Sequence, residues 1–180
     1  MYRAQEYADK CVYGHSDSKF RQNIGGFAQL GENLYAQTNK LDLFVALEAW
    51  YNEINDYNYQ TRACNAVCGH YTQNVWFSSY ALGCGIKFCK PLNQPCGSNA
   101  CLLWEYGYYV VCHYGPGGNV RGHHPFRKGK ACSQCETDAV YCICGLCSKR
   151  PQIGSDSANS TMQANIIAAA AVAIFISVLF

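Results

Sequence analysis

The chain has 180 residues, of which 13 are cysteine, 14% aromatic and only 14% charged, and its 14 Lys and Arg against 12 Asp and Glu leave a formal net charge of +2. Length allows one domain of ordinary size plus appendages; a charge balance this near zero argues against nucleic-acid binding by field strength, and few charges with many aromatics is the reverse of a disordered composition. Cysteine at this density is rare in a reducing cytosol and common where disulfides persist, so a secreted or cell-surface protein is expected, with one odd sulfur to account for.

The start, Met1-Tyr2-Arg3-Ala4-Gln5-Glu6, is polar and has no apolar signal-peptide core. Two readings fit, a cytosolic chain or a sequence that begins inside a longer precursor, and the cysteine density favours the second. Residues 6–12 carry helix formers with little apolar periodicity and predict a short helix. Residues 41–54 predict the clearest helix: on a 100° wheel Leu43, Phe44, Leu47, Trp50, Tyr51 and Ile54 fall within about one third of the circle. Glu48 and Asn52 lie opposite, and Glu53 sits at the flank of the apolar stripe, beside Ala46 and Trp50.

From Asn74 onward the period changes. Residues 75–77, 82–89 and 103–114 are rich in aromatic and β-branched side chains and predict strands. In the last stretch Trp104, Tyr106, Tyr108, Val110, Cys112 and Tyr114 share one face, and Leu103, Tyr109 and Val111 the other. A strand apolar on both faces needs cover on both faces, so early helices and late antiparallel strands predict either a layered α+β fold or an α/β fold, a three-layer α-β-α sandwich. Residues 91–99 read as a loop, and Gly115-Pro116-Gly117-Gly118-Asn119 as a tight turn whose glycines tolerate positive φ.

At the other end a small polar stretch at 154–160 is followed by an uncharged apolar run at 166–180. Such a run reaches roughly 22 Å as a helix, short of the ~30 Å hydrocarbon core. Small residues, polar spacer and terminal apolar tail together resemble a glycolipid-anchor signal attached near residues 155–157; a short terminal membrane helix is the other reading. Either tethers the protein to a membrane.

Gly69-His70-Tyr71-Thr72-Gln73-Asn74-Val75-Trp76 resembles the first signature of the CAP superfamily, the cysteine-rich secretory proteins, antigen 5 and pathogenesis-related proteins. The second signature is matched by Tyr109-Val110-Val111-Cys112-His113-Tyr114-Gly115-Pro116-Gly117-Gly118-Asn119-Val120. Gly31-Glu32-Asn33-Leu34, Trp50-Tyr51-Asn52-Glu53, Gly83-Cys84-Gly85-Ile86-Lys87-Phe88-Cys89 and Cys11-Val12-Tyr13-Gly14-His15-Ser16 match further family elements in the right order. Asn74 departs from the pattern, since the family usually has an aliphatic residue there. Cys64-Asn65-Ala66-Val67-Cys68 before Gly69, and Cys132-Ser133-Gln134-Cys135 after Pro125-Phe126-Arg127-Lys128-Gly129, make the glioma pathogenesis-related proteins the nearest likeness. The resemblance implies a CAP domain over residues 1–129 that lacks the family's N-terminal helix, a cysteine-rich hinge at 130–150, a polar spacer at 151–165 and the apolar tail at 166–180.

The resemblance also implies a surface cleft lined by His15, Glu32, Glu53 and His70. Two imidazoles with neighbouring carboxylates suit a divalent cation such as zinc, which His15 and His70 would ligate; the carboxylates would equally hold the rings with no metal present. No local spacing groups these four residues, and there is no His-Glu-x-x-His motif. Residues 41–60 hold Asp42, Glu48, Glu53 and Asp56 and no Lys or Arg, which would favour a cation near Glu53. His113 reads as a strand residue outside the cleft, and His123-His124 as part of a solvated basic loop.

For the sulfurs the family pattern implies Cys11–Cys89, Cys84–Cys112, Cys64–Cys68 and Cys96–Cys101 in the domain, Cys132–Cys142 and Cys135–Cys147 in the hinge, and Cys144 left over. The implied function is an extracellular, disulfide-rich binding module, its cleft taking a lipid, a sterol or a partner protein. A zinc-dependent hydrolase or protease using the same four residues is the alternative; most family members lack an established activity, which weighs against it.

Overall fold

The computed structural model describes residues 2–151. The expected anchor signal at 166–180 lies outside the described residues, and among them no helix is long and apolar enough to cross a membrane. The chain forms two compact units, one ending at Pro125 and one beginning at Phe126.

In the first unit, helix α1 (Tyr2–Ala8) opens the chain. The sequence places this helix later, at 6–12, because its buried stripe is made of Ala4 and Ala8, which leave little trace in a hydropathy period. Two short hairpin strands follow, β1 (Gln22–Ile24) and β2 (Phe27–Gln29), and then β3 (Gly31–Gln37). Helix α2 (Leu43–Asn52) starts where the Asp42 carboxylate accepts the main-chain N–H of Phe44 at 2.9 Å, a standard N-cap. A 3-10 turn, Glu53–Asp56, continues it. The pair β4 (Tyr57–Asn58) and β5 (Ala63–Cys64) leads to helix α3 (Gly69–Asn74). Strands β6 (Ala81–Cys89), β7 (Leu92–Cys96), β8 (Asn99–Trp104) and β9 (Gly107–Gly115) complete the unit.

The central sheet is antiparallel in the order β3-β9-β6. Strand β9 is buried along nearly its whole length, and its two faces serve two cores. Tyr109 and Val111 pack with Ala4, Ala8, Leu34, Cys89 and Leu92 on the α1 side. Val110, Cys112 and Tyr114 pack with Trp50 of α2 on the other. The architecture is therefore the α-β-α sandwich that a strand apolar on both faces requires. Trp50 also donates its indole N–H to the carbonyl of Leu34 at 3.0 Å, so truncating it would cost about 3–5 kcal/mol.

Several expected details are corrected. Residues 75–77 form no strand: Asn74 ends α3, and the chain turns there. Residues 91–99 are not a simple loop but contain β7 and the turn into β8. Residues 105 and 106 separate β8 from β9, so Trp104 packs with the Tyr109 and Val111 core rather than with Val110. On α2 the buried residues are Ala46 and Trp50, whereas Leu43 and Phe44 of the expected stripe are exposed. In the turn after β9 the positive φ falls on Asn119. Gly117 and Gly118 are needed for room: a Cβ on Gly118 would lie 2.7 Å from the Trp76 ring, and one on Gly117 2.8 Å from the main chain of Gly31.

Four disulfides staple this unit: Cys11–Cys89, Cys64–Cys68, Cys84–Cys112 and Cys96–Cys101. Cys84 and Cys112 are direct cross-strand neighbours. The second unit is a small hairpin, β10 (Tyr141–Ile143) and β11 (Leu146–Ser148), tied by Cys132–Cys142 and Cys135–Cys147. Cys142 and Cys147 face each other across it, and Cys144 is exposed at its turn.

Candidate functional site

Glu32 lies on β3 with its side chain fully buried. Burying a carboxylate is unfavourable unless donors surround it, and here each oxygen receives two. Oε1 accepts from His15 Nδ1 at 2.8 Å and from the main-chain N–H of Ser16 at 2.9 Å. Oε2 accepts from the Ser16 hydroxyl at 2.7 Å and from His113 Nε2 at 2.9 Å. Arg21 Nε stands 3.9 Å from Oε1. Burial pushes the Glu32 carboxyl up, but the hydrogen bonds from His113, His15 and Ser16 outweigh it and hold the group well below the usual carboxylate range. An ionised carboxylate has no proton to give, so both imidazoles present N–H to it.

His15 reaches Glu32 from a loop whose backbone is pinned from behind. The hydroxyls of Tyr7 and Tyr109 both donate to the carbonyl of Gly14, at 3.0 and 3.2 Å. The ring itself is 60% exposed. With Nδ1 spent on Glu32, its Nε2 remains for an outside partner.

A second pair repeats the arrangement. Glu53, in the turn after α2, accepts the main-chain N–H groups of His70 and Tyr71 through Oε2 at 3.0 and 3.1 Å, and its Oε1 meets His70 Nδ1 at 2.6 Å. The carboxylate thus sits at the start of α3 and orients the first ring of that helix. His70 also stacks on Trp50, with centroids 6.0 Å apart and planes 16° from parallel, and is 22% exposed. Tyr71 packs between Tyr51 and Tyr57; burial, helped by those two rings, pushes its hydroxyl up to about 12.

The structure therefore joins the four residues as two imidazole–carboxylate pairs, His15 with Glu32 and Glu53 with His70. Asn33, next to Glu32 on β3, connects them: its amide donates to the carbonyl of His70 at 3.1 Å. The sequence reading misses three further members, Ser16, Arg21 and His113. Only the register of β3 on β9, which sets Glu32 opposite His113, brings the last one in. His124 is not in a fully solvated loop; its ring stacks on Tyr59 at 4.4 Å, and Arg62 Nη1 lies 3.4 Å from its Nε2.

The donor chemistry fits a divalent cation at the rings. Each imidazole has a carboxylate behind its Nδ1, the support usual for metal-bound histidine, and keeps Nε2 as ligand. The carboxylates themselves are occupied by N–H groups and, at Glu32, by the Ser16 hydroxyl. Among the described residues the one close group of three potential ligand atoms is Cys132, Cys135 and Cys147, whose sulfurs are in disulfides.

Comparison with known proteins gives concordant matches. The family model "CAP: Cysteine-rich secretory protein family" matches residues 1–114. Mouse peptidase inhibitor 16 is 38% identical over 86% of the chain and 29% of its own length. Human cysteine-rich secretory protein 2 is 39% identical over 83% of the chain and 56% of its own length. Mouse glioma pathogenesis-related protein 1 is 36% identical over 80% of the chain and 50% of its own length. The chain thus spans about half or less of the length of these curated relatives. Among solved structures, a crystal structure of NaASP2 with Zn2+ superposes with a TM-score of 0.56 and 33% identity, covering 82% of this chain and 71% of that one. Schistosoma mansoni venom allergen-like protein 4 superposes with a TM-score of 0.54 and 27% identity, covering 71% and 69%.

Proposed function

Because the chain belongs to the CAP, or cysteine-rich secretory protein, family, we propose that it is an extracellular binding module taking a lipid, a sterol or a partner protein at the surface that carries His15 and His70. One observation carries this reading: both imidazoles are fixed through Nδ1 by carboxylates and keep Nε2 for an outside partner. Ser16, the hydroxyl beside His15 in sequence, is buried and spent on Glu32, so the geometry favours recognition over nucleophilic attack. An apolar ligand has support elsewhere in the same unit, where Leu82, Ile86 and Phe88 alternate along the edge strand β6 and are all exposed.

A divalent cation would be held by His15 and His70 through Nε2, and would supply a Lewis-acid anchor for an oxygen of the ligand. The protein's own part is to fix the rings: Glu32 and Glu53 hold each Nδ1, and Trp50 supports the His70 face. Membrane tethering through the tail is part of the same proposal.

The test uses the full chain, with and without zinc, assayed for cholesterol and fatty-acid binding beside peptide cleavage. Saturable lipid binding that His70→Ala weakens supports the reading, and peptide cleavage lost in the same variant would replace it with the hydrolase. If His70→Ala leaves every activity unchanged, the two histidines are not the site. Release from cells by a phosphatidylinositol-specific phospholipase supports the glycolipid anchor, and resistance supports a spanning helix.

A further inference from the structure

We propose that His113 is a positioning residue of this site: from the central strand it fixes the carboxylate of Glu32 and thereby holds His15 as its Nδ1–H tautomer, with Nε2 bare toward solvent. The inference deepens the binding reading above and rests on His15 being part of the site.

His113 is 5% exposed and lies opposite Glu32 in the β3-β9 register. Its Nε2 is 2.9 Å from Glu32 Oε2. Its Nδ1 is buried with no hydrogen-bond partner, and the ring meets that of Phe20 at 64°, with centroids 6.5 Å apart. A core position that wanted only volume would be filled more favourably by an apolar side chain, since a buried unpaired ring nitrogen is destabilising. The single polar contact is what this histidine contributes.

That contact matters because of how the carboxylate is held. Oε1 has a rigid main-chain donor in Ser16 and also carries His15. On Oε2 the other donor is the Ser16 hydroxyl, which rotates freely about its C–O bond. Remove His113 and Oε2 keeps only that hydroxyl, whose proton can turn to another acceptor, so the carboxylate is held less firmly about its last side-chain bond. His15 is more than half exposed, so its ring then exchanges Glu32 for water and the Nδ1–H form loses its fixed acceptor. An unrestrained neutral histidine favours the Nε2–H form, which presents a donor where the wild type presents a lone pair. A metal ligand or a hydrogen-bond acceptor at that position would be lost.

The experiment is a long-range proton–nitrogen NMR spectrum of the full chain with labelled histidine, recorded at alkaline pH where the rings are neutral. In the wild type His15 is expected as Nδ1–H and His113 as Nε2–H. In His113→Phe, His15 should move to a majority of Nε2–H, whereas His113→Gln, which keeps a donor for Oε2, should retain Nδ1–H. An unchanged His15 tautomer in His113→Phe overturns the proposal, as does a wild-type His113 protonated on Nδ1 alone. If His113→Phe does not fold, the wild-type assignments and His113→Gln decide it: Nε2–H at His15 in either protein overturns it. Failed lipid binding with these tautomers in place would sink the binding reading and leave only the hold of His113 on the His15 tautomer standing.

Discussion

The side-chain amide of Asn33 donates to the main-chain carbonyl of His70 at 3.1 Å, across 37 residues of sequence. The same amide donates to Asn74 Oδ1 at 2.8 Å, and the Tyr114 hydroxyl donates to that oxygen at 2.7 Å. Asn33 and Tyr114 are both buried. Strand β3, which carries Glu32, is thus tied to helix α3, which carries His70, by a buried polar knot centred on Asn74. The departure from the family pattern at Asn74 acquires a physical reason, because its oxygen satisfies two buried donors.

Replacing Asn74 with Val should therefore be costly even though Val is the more usual type there. It strands the Tyr114 hydroxyl, at about 1–3 kcal/mol for a buried group, and leaves the Asn33 amide with the His70 carbonyl and, at 3.3 Å, the Tyr114 oxygen. Urea unfolding should show a lower midpoint at unchanged slope. Adding Tyr114→Phe to Asn74→Val removes one orphan, so the double variant should lose less than the sum of the singles. Strict additivity would mean that the two side chains do not share the interaction.

What the sequence made legible follows from where each signal resides. The β9 stretch announced two-sided burial through its own residues, Tyr109 and Val111 against Val110 and Cys112, and the structure covers both faces. Strand β3 gave no such signal, because two of its buried residues are Glu32 and Asn33, which read as loop until their partners are known. Without β3 the register partner of His113 had no address, so the histidine looked like ordinary strand filling. That His15 and Glu32 share one cleft was legible only through the family resemblance; no spacing rule links a loop residue to a separate strand. On α2 the wheel found the helix and, at Leu47 and Trp50, its inner face, but Leu43 and Phe44 of the stripe stand at its first turn and are exposed.

Helix α1 crosses β6 at Gly85, and this contact leaves no space for a side chain. A Cβ built there would fall inside the van der Waals shell of the Gln5 and Ala4 main chain. Gln5 also pairs with both main-chain groups of Ile86, its Nε2 donating to the carbonyl and its Oε1 accepting the N–H, each at 3.0 Å. That covers one step of an otherwise open sheet edge. Gly85→Ala should push the helix off the sheet, with a loss of about 3 kcal/mol or more. Gly69→Ala is the matched control, since its nearest neighbour would be 3.8 Å away, and its midpoint should barely move. Equal effects of the two substitutions would contradict the close-packing account.

The disulfides should differ in value with the loop each closes. Cys11–Cys89 spans 78 residues and Cys64–Cys68 only 4. Chain-entropy arithmetic assigns up to about 4.5 kcal/mol to the first and about 2 kcal/mol to the second. Cys89 is moreover buried in the core under α1, while Cys64 lies exposed on a two-residue strand. Paired Ser replacements compared by thermal unfolding should therefore rank Cys11/Cys89 well above Cys64/Cys68. A larger loss from the short loop would show that the native-state environment of that loop, rather than chain entropy, governs its contribution.

Glu32 should give the folded unit a specific sensitivity to acid. Its carboxyl is held well below its ordinary value by donors from His113, His15 and Ser16, whereas in the unfolded chain it returns to about 4.3. The folded pKa is the lower one, so the stabilisation is fully present above about pH 4.3 and is lost as pH falls from there toward the folded value. In that window the unfolded chain binds one more proton than the folded one at this site, which removes up to about 1.4 kcal/mol of stability per pH unit. Glu32→Gln should be less stable than the wild type at neutral pH, because the amide leaves His15 and His113 without their anionic acceptor, and its acid limb should be flatter. Urea midpoints between neutral pH and pH ~2 measure both limbs, and wild-type and Glu32→Gln curves that run parallel through the acid range would show that another carboxylate carries the acid transition.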